Sequence, residues 1–408
     1  MTGAETAGLP TMFLSGYLGL LSLVWFMLLV GTRTWGRGWT LQRPSLASTK
    51  DDEAFLVSIC IPARDEADNI GDCVRAALST RWPSLEVIVV DDRSSDGTAD
   101  HARAAGEGDK RLHIVEGVEP PAGWAGKPWA CARAAGEARG RVLCFVDADV
   151  RLAPDAVSAV VSEMVEKDLR LVSAYGAWEL HSFWERVLIP AVGWLIRGAI
   201  NLDDVNDSGN PVAFANGQFI AVERNAYDSL DGHASVRSEV LEDVRLAEQF
   251  KRRGFHVGMR VAPWAFRVRL YDSLGAIIDG YTKNLYEGMG RKPSLALGAA
   301  FFIFVGALLP WFALAFALWA RGAWGWSVPG LPWLIWCAVV CGLQIAFRWR
   351  LESKDGRTGW VAFTHPLANI LLVWILLRSM FVMESTWKGR IFIDGKAAVD
   401  PNENADLG

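Results

Sequence analysis

Four stretches of the chain are apolar over bilayer length and free of Asp, Glu, Lys and Arg, and they lie toward its two ends. Residues 11–31 form the first, and as a helix they span about 30 Å, the thickness of a bilayer core. The other three crowd the last third: Ser294 to Ala320, Trp326 to Phe347 and Gly359 to Leu377. Between the two groups the pattern changes to short β-branched runs that alternate with helical stretches. LVSICIPA precedes NIGDCVRAAL, LEVIVVDD precedes GTADHARAAG, LHIVEG precedes PWACARAAGEA, and RVLCFVDAD follows. Such alternation predicts βαβ units in a mostly parallel sheet, with ligands bound at the carboxyl ends of the strands.

The chain therefore divides into an N-terminal transmembrane anchor (1–32), a basic linker (33–54), an α/β domain (55–292), about three C-terminal transmembrane helices (293–381) and a polar tail (382–408). The start MTGAETAGLP has no basic residue, whereas Arg33, Arg37, Arg43 and Lys50 follow the first run, so an uncleaved anchor is expected with residues 33 onward in the cytoplasm. The basic stretch Arg348 to Arg357 places a second loop on the same side. Four crossings then put the C-terminus outside, against the charge of Arg378, Lys388, Arg390 and Lys396. Either the fourth run bends back at His365-Pro366 or the tail is external. His365 itself is read as a packing or interfacial residue rather than a functional one.

Composition sharpens this picture. Over 408 residues, 51% are hydrophobic and 21% charged, and half of the 20 tryptophans fall from Trp311 onward, where interfacial belts would need them. The net charge of −5 gives no basic face for nucleic acid, which is excluded as a partner. Six cysteines (Cys60, Cys73, Cys131, Cys144, Cys337 and Cys341) show no zinc spacing and read as small buried side chains.

Acidic residues close the strands. Asp91 and Asp92 end EVIVV, and Asp147 and Asp149 end VLCFV. Each pair alone suits a turn, but on neighbouring strands of one sheet they line a common crevice. Two carboxylates two residues apart can jointly hold Mg²⁺ or Mn²⁺ while leaving positions for diphosphate oxygens. No GxGxxG follows the first strand and no GxxxxGK[ST] occurs, so neither a dinucleotide cofactor nor a P-loop is indicated. Further along, Leu241, Val244, Ala247 and Phe250 make a helical stripe that begins at Glu242-Asp243 and is capped by Gly254. Asn216-Gly217 has the form of a tight-turn dipeptide between two apolar stretches. Ser182 to Ile200 places Trp184, Val187, Leu188, Ala191 and Leu195 at helical spacing, and is read as an interfacial helix that leads a lipid to the site, with a core helix as the alternative.

Six ordered segments, VSICIPARDEADNI, EVIVVDDRSSDGT, GWAGKPWA, FVDAD, FANGQFI and LEDVRLAEQFKRRG, resemble the membrane-anchored glycosyltransferases of family 2, over about residues 55–290. Within that family GWAGKPWA, SFWERVLIP and KNLYEG look most like hopanoid-associated and carotenoid (diaponeurosporenoate-type) enzymes. The resemblance implies a GT-A fold, the Rossmann-like α/β architecture of nucleotide-diphospho-sugar transferases. By it, Pro62, Arg64 and Glu66 lie along the nucleotide, Asp91 and Asp92 bind uracil and ribose, and Lys127 approaches the diphosphate. Asp147 and Asp149 form the metal motif, Glu242-Asp243 supplies the general base, and Asn216 and Gly217 position the donor sugar or acceptor. The Gln-x-x-Arg-Trp motif of processive synthases is missing after the acidic pair, which favours a single transfer.

The expectation is thus an inverting, metal-dependent transferase in the cell membrane, with its catalytic domain in the cytoplasm. Its partners are a nucleotide-sugar donor, most simply UDP-linked, and a lipid acceptor, with Asp243 as the base. A polyprenyl-phosphate acceptor and a non-catalytic sensor of nucleotide sugars are the rival readings.

Overall fold

A computed structural model of the chain describes residues 8–33, 36–44, 55–324, 331–382, 384–387, 390–393 and 396–397. It has two compact units, one made of Met1–Trp35, His181–Ile196 and Asp272–Phe381, the other of Gly36–Leu180, Arg197–Tyr271 and Val382–Gly408. Lys50 of the expected linker and most of the polar tail lie outside the described residues.

The chain enters through helix α1 (Gly8–Gly31) and then alternates strand with helix as its pattern requires: β1 (Val57–Ala63), α2 (Ala67–Leu78), β2 (Leu85–Asp91), α3 (Thr98–Gly106), β3 (Leu112–Glu116), α4 (Gly126–Glu137) and β4 (Val142–Val146). There follow β5 (Val150–Leu152), α5 (Ala156–Glu166), β6 (Leu171–Tyr175), β7 (Ala177–Trp178), α6 (Phe183–Ala199), α7 (Leu202–Asn206) and β8 (Phe219–Glu223). After α8 (Arg224–Asp228) come α9 (Glu242–Arg252), β9 (Val257–Val261) and β10 (Phe266–Val268).

Seven strands form one sheet in the order β3-β2-β1-β4-β8-β6-β9. The first four are mutually parallel, β8 runs antiparallel to both its neighbours, and β9 is parallel to β6. The expected mostly parallel sheet is therefore present, with one reversed strand. A second sheet, β5-β10-β7, is smaller.

Continuous apolar runs arise because both faces of the large sheet are covered. On one face Val57, Ile59, Ile61, Val87 and Val89 pack with Ile70 and Val74 of α2 and with Val157 and Val160 of α5. On the other, Cys60, Ile88, Val90, Leu143 and Phe145 pack with Ala130 and Ala134 of α4 and with Leu246, Ala247 and Phe250 of α9. The inner stripe of α9 thus runs through Leu246 rather than Leu241 and Val244, which are only half-buried. The six cysteines are free and buried, as their setting in the sequence suggests. Residues 36–44, expected as linker, instead cover an exposed sheet edge: Thr40 bridges Val261 of β9, Leu41 N–H donates to Val261 O at 3.1 Å, and Leu41 is fully buried.

In the other unit the chain forms α10 (Leu274–Gly288), α11 (Pro293–Ile303), a π-helical turn (Phe304–Leu308), α12 (Leu309–Trp324), α13 (Leu331–Lys354) and α14 (His365–Phe381). Four helical spans here are long and apolar enough to cross a membrane: Leu14–Gly31, Pro293–Ala320, Pro332–Lys354 and Gly359–Phe381. They turn large apolar side chains outward, with Phe302 75% and Phe381 80% exposed. The fourth run begins with a 3-10 turn over Gly359–Thr364 and becomes α-helical at His365-Pro366. Back in the sheet-bearing unit, three short strands, β11 (Glu384–Trp387), β12 (Arg390–Ile393) and β13 (Lys396–Ala397), form a small antiparallel sheet.

The π turn leaves backbone carbonyls without their usual helical partners, and in an apolar setting such groups must be satisfied from elsewhere. The Tyr17 hydroxyl donates to Val305 O, while Trp25 Nε1 and Gln344 Nε2 both donate to Gly306 O, at 3.0 and 3.1 Å. These bonds lock α1 and α13 onto the turn.

Helix α6 opens with a capping box. Ser182 Oγ accepts from Glu185 N at 3.3 Å, and the buried Glu185 carboxylate accepts from the His181 and Ser182 N–H groups. Pro190 within the helix cannot donate to Arg186 O. Arg348 of α13, only 2% exposed and paired with Glu352 at 2.9 Å, fills the gap by donating to Arg186 O and Val187 O, both at 3.0 Å. Most of α6 therefore groups with the apolar helices, not with the sheet's core. Arg348, counted from sequence as a loop charge, is instead neutralised inside.

Candidate active site

The strand ends form the crevice. Ala63 of β1 lies opposite Asp91 of β2, and the next residue, the buried Asp92, donates its N–H to Ala63 O at 2.7 Å. Pro62 is tolerated in a central strand because the ladder to β4 stops at Cys60, so the ring lies beyond the last pair on that side. Arg64 Nη1 reaches Asp92 O at 3.2 Å. Asp65 takes a left-handed φ of 49° and turns the chain, its N–H donating to Ser94 Oγ and its Oδ1 accepting from Ser95 N, both at 2.9 Å. Glu66 N donates to Thr98 Oγ1 at 2.8 Å, and Glu66 Oε2 accepts from Asn69 Nδ2 at 3.0 Å.

Sequence reasoning gave no role to Ser94, Thr98 or Gly117, yet they knit these loops. Gly117 N–H donates to Asp91 O at 2.7 Å, and a Cβ on Gly117 would lie 2.4 Å from that same oxygen. The signal was present, since a glycine closes the run LHIVEG where backbone must approach backbone.

The second group gathers around one ammonium. Lys127, in the first turn of α4, places Nζ 2.7 Å from Asp147 Oδ1 and 3.0 Å from Glu242 Oε1. The side chain is 38% exposed along its length, but its ammonium end is enclosed by carboxylates. Burial opposes the lysine's charge, yet Asp147 and Glu242 outweigh it and hold Lys127 well above the ordinary lysine range. The pairing with Glu242 was not foreseen from sequence.

Burial raises Asp147 against the pull of Lys127, and it pushes Asp149 up to about 8, helped by the charge of Asp147. Asp149 Oδ1 is enclosed and accepts no hydrogen bond. A buried carboxylate oxygen without a partner, beside a second carboxylate, has the chemistry of a hard-cation site, so the residues fit Mg²⁺ or Mn²⁺. Among the described residues no group of three or more His, Cys, Asp or Glu side chains could chelate an ion. The chain thus offers two carboxylates and leaves the remaining positions to a ligand's oxygens.

Asp243 completes the cluster. Its Oδ2 accepts from Gly217 N at 2.7 Å and its Oδ1 from Val244 N at 2.8 Å. A Cβ on residue 217 would stand 3.0 Å from both Asp243 Oδ2 and Lys127 Nζ, so any side chain there would push these groups aside. Asn216 is the staple that sets this glycine: its N–H donates to Ser173 Oγ at 2.8 Å and its Nδ2 to Ala174 O at 3.1 Å, at the end of β6. The tight turn read at Asn216-Gly217 is present, closed by Phe219 N donating to Asn216 O at 3.2 Å, and β8 begins directly after it at Phe219. A first-turn position on α9 favours an ionised carboxylate. Burial wins, with Glu242's charge adding to it, and pushes Asp243 up to about 7.

The structure thus brings Lys127, Asp147, Asp149, Gly217, Glu242 and Asp243 into one cluster, while Pro62, Arg64, Glu66, Asp91 and Asp92 line the adjoining strand ends. Residues 58–196 match the family model of glycosyl transferase family 2. The chain is 25% identical over 269 residues to the 4,4'-diaponeurosporenoate glycosyltransferase of Staphylococcus haemolyticus, covering 65% of this chain and 70% of the relative. It is 36% identical over 96 residues to the glycosyltransferase AglE of Haloferax volcanii, covering 23% of this chain and 30% of that one. Among solved structures, a mannosyltransferase from Pyrobaculum calidifontis in complex with GDP-Man and Mn²⁺ superimposes with a TM-score of 0.54 at 17% identity, over 90% of this chain and 98% of that one. The chain carries a family 2 glycosyltransferase domain on a GT-A fold, and it is a glycosyltransferase.

Proposed function

We propose that the protein transfers a single sugar, with inversion, from a nucleotide sugar to a lipid in the membrane that its apolar helices span, and that the catalytic domain faces the cytoplasm. The observation that carries this reading is the placement of Asp243, a carboxyl poised near neutrality, in one cluster with Lys127 and the Asp147-Asp149 pair.

Asp243 takes the proton from an acceptor hydroxyl; a carboxylic-acid acceptor, ionised on its own, would need little help from it. Two backbone N–H groups fix its orientation, and a carboxylate keeps lone pairs for the acceptor beyond those bonds. The acceptor oxygen attacks the anomeric carbon in line, the bond to the diphosphate breaks, and one displacement inverts the configuration. Lys127 lies at the diphosphate side, and Asp91 and Asp92 hold uracil and ribose. Asp147 and Asp149 would hold Mg²⁺ or Mn²⁺, which when bound supplies positive charge to the departing diphosphate. The relative named for 4,4'-diaponeurosporenoate supports a lipid acceptor.

The test is nucleoside diphosphate release by the detergent-purified protein with Mn²⁺ and a total bacterial lipid extract, offered UDP-glucose, UDP-galactose, UDP-GlcNAc and GDP-mannose in turn. Lipid-dependent release that both Asp149→Ala and Asp243→Asn abolish supports the reading and yields a product for mass spectrometry. Metal-dependent nucleotide binding with no turnover of any donor overturns it in favour of a sensor.

A further inference from the structure

Helix α9 carries Asp243 in its first turn and Lys251 in its last. Lys251 Nζ stands within hydrogen-bonding distance of four backbone carbonyl oxygens: Asp204 at 3.0 Å, Asp207 at 2.9 Å, Asn210 at 2.9 Å and Val212 at 2.6 Å. An ammonium has three N–H bonds, so four acceptors exceed its donors. What the carbonyls recognise is a compact positive charge rather than a set of directed bonds, which is how carbonyl rings replace the hydration shell of potassium.

The segment is shaped for this. Asp204 lies in α7 and Asp207 is that helix's C-cap, where carbonyl oxygens lack helical donors and carry partial negative charge. Past it, tight local turns bend the chain inward: Asp207 Oδ1 accepts from Gly209 N at 2.9 Å, Asn210 N donates to Asp207 O at 3.2 Å, and Asn210 Oδ1 accepts from Val212 N at 3.0 Å. Four carbonyl dipoles that point at one place repel each other unless a cation sits there.

The segment also leads directly to the site. After Val212 the chain reaches Asn216 and Gly217, and Gly217 N–H holds Asp243. Residues 204–217 are therefore fastened to α9 at two points, by Lys251 at the helix's end and by Asp243 at its start, about 12 Å apart along the axis.

We propose that 204–212 is a carbonyl cage for a monovalent cation, filled from within the chain by the Lys251 ammonium, and that Lys251 is thereby a positioning residue for Asp243. The cage accepts an ion of the ammonium or potassium class. Its effect on rate rests on Asp243 being the base, but the cage itself does not.

Lys251→Ala empties the cage, whereas Lys251→Met keeps the apolar stem in place and removes only the charge. In the full-length protein, both variants melt below wild type. Potassium or methylammonium chloride raises the melting temperature of Lys251→Ala above its value in choline chloride of equal ionic strength, and leaves Lys251→Met and wild type unchanged. In sugar transfer Lys251→Ala loses about tenfold or more in kcat with the donor KM little changed, as expected for a displaced base, and the same cations restore part of it. A wild-type melting temperature, or a loss that no cation selectively reverses, overturns the cage. A cation-selective melting shift with wild-type kcat overturns the positioning role. Should Lys251→Ala not be recovered folded, Lys251→Gln replaces it, with two uncharged donors in place of the ammonium; wild-type stability and kcat in that variant overturn the proposal. If wild type turns over no donor, the functional reading fails while the melting measurements still decide the cage.

Discussion

The backbone N–H of Gly217 donates to Asp243 Oδ2 at 2.7 Å, joining the segment before β8 to the first turn of α9 across 26 residues of chain. On the proposed reading, it fixes where the acceptor's proton is taken. The proposed chemistry depends on that placement.

Gly217→Ala inserts a methyl group 3.0 Å from both Asp243 Oδ2 and Lys127 Nζ. The variant loses kcat by about tenfold to a hundredfold, because a small displacement of a reacting group is enough for that. Donor KM changes far less. Steady-state kinetics with the donor identified by nucleotide release gives both constants.

Asp243 must be ionised to act as base, and its carboxyl is pushed up to about 7 by burial and the charge of Glu242. Protonation disables the base, so kcat/KM rises with pH, tenfold per unit below about 7, and levels above it. A pH profile that stays flat from the ordinary aspartate range upward contradicts this assignment. Asp243→Asn lacks the rising limb.

Mn²⁺ raises the melting temperature of the wild type, and Asp149→Asn removes that response. In metal-free buffer the same substitution stabilises the protein, by about 1 kcal/mol, since it removes an unpartnered buried carboxyl that burial and Asp147 force to take up a proton on folding. Differential scanning fluorimetry with and without EDTA measures both effects, and a metal-free Asp149→Asn that melts below wild type speaks against a cation site.

Arg348→Met destabilises the apolar helices by about 2 kcal/mol or more. It uncovers Arg186 O and Val187 O and takes one of two partners from the buried Glu352, which keeps Arg357 at 2.6 Å. Unfolding in mixed detergent micelles reads the loss. Wild-type stability in this variant would show that the Pro190 gap needs no donor.

What was legible in the sequence is what depends on local pattern. The runs at β1, β2 and β4 are unbroken because both faces are covered, and their ends are marked by Asp91, Asp92, Asp147 and Asp149 because polar groups appear where burial stops. Membrane-length runs are equally local. Illegible were the partnerships set by the way distant segments meet: Lys127 with Glu242, Gly117 with Asp91, and Gly217 with Asp243. Spacing carries no trace of these. The helix at 183–199 shows the same limit, since its apolar positions fit a sheet's core and a helical bundle equally, and its grouping is decided by Arg348, far along the chain. The stripe of α9 was legible at Ala247 and Phe250, both buried against the sheet, but not at its start, where contact with the sheet chose Leu246 over Leu241 and Val244.

The π turn at Phe304–Leu308 means that the span Pro293–Ala320 does not keep one helical phase. Inserting a residue into a helix rotates everything beyond it by about 100°, so the face shown by α11 and the face shown by α12 are set independently. A span of 28 residues measures about 42 Å along its axis, longer than a bilayer core of about 30 Å, and in crossing one would have to lean or bend to be covered. Removal of a single residue between Phe304 and Leu308 would restore an unbroken helix. It would also swing the aromatic side chains Phe312, Phe316 and Trp319 away from the sides they now occupy, and strand the donors of Tyr17, Trp25 and Gln344. In this segment the count of residues, more than their identity, governs which side chains face outward.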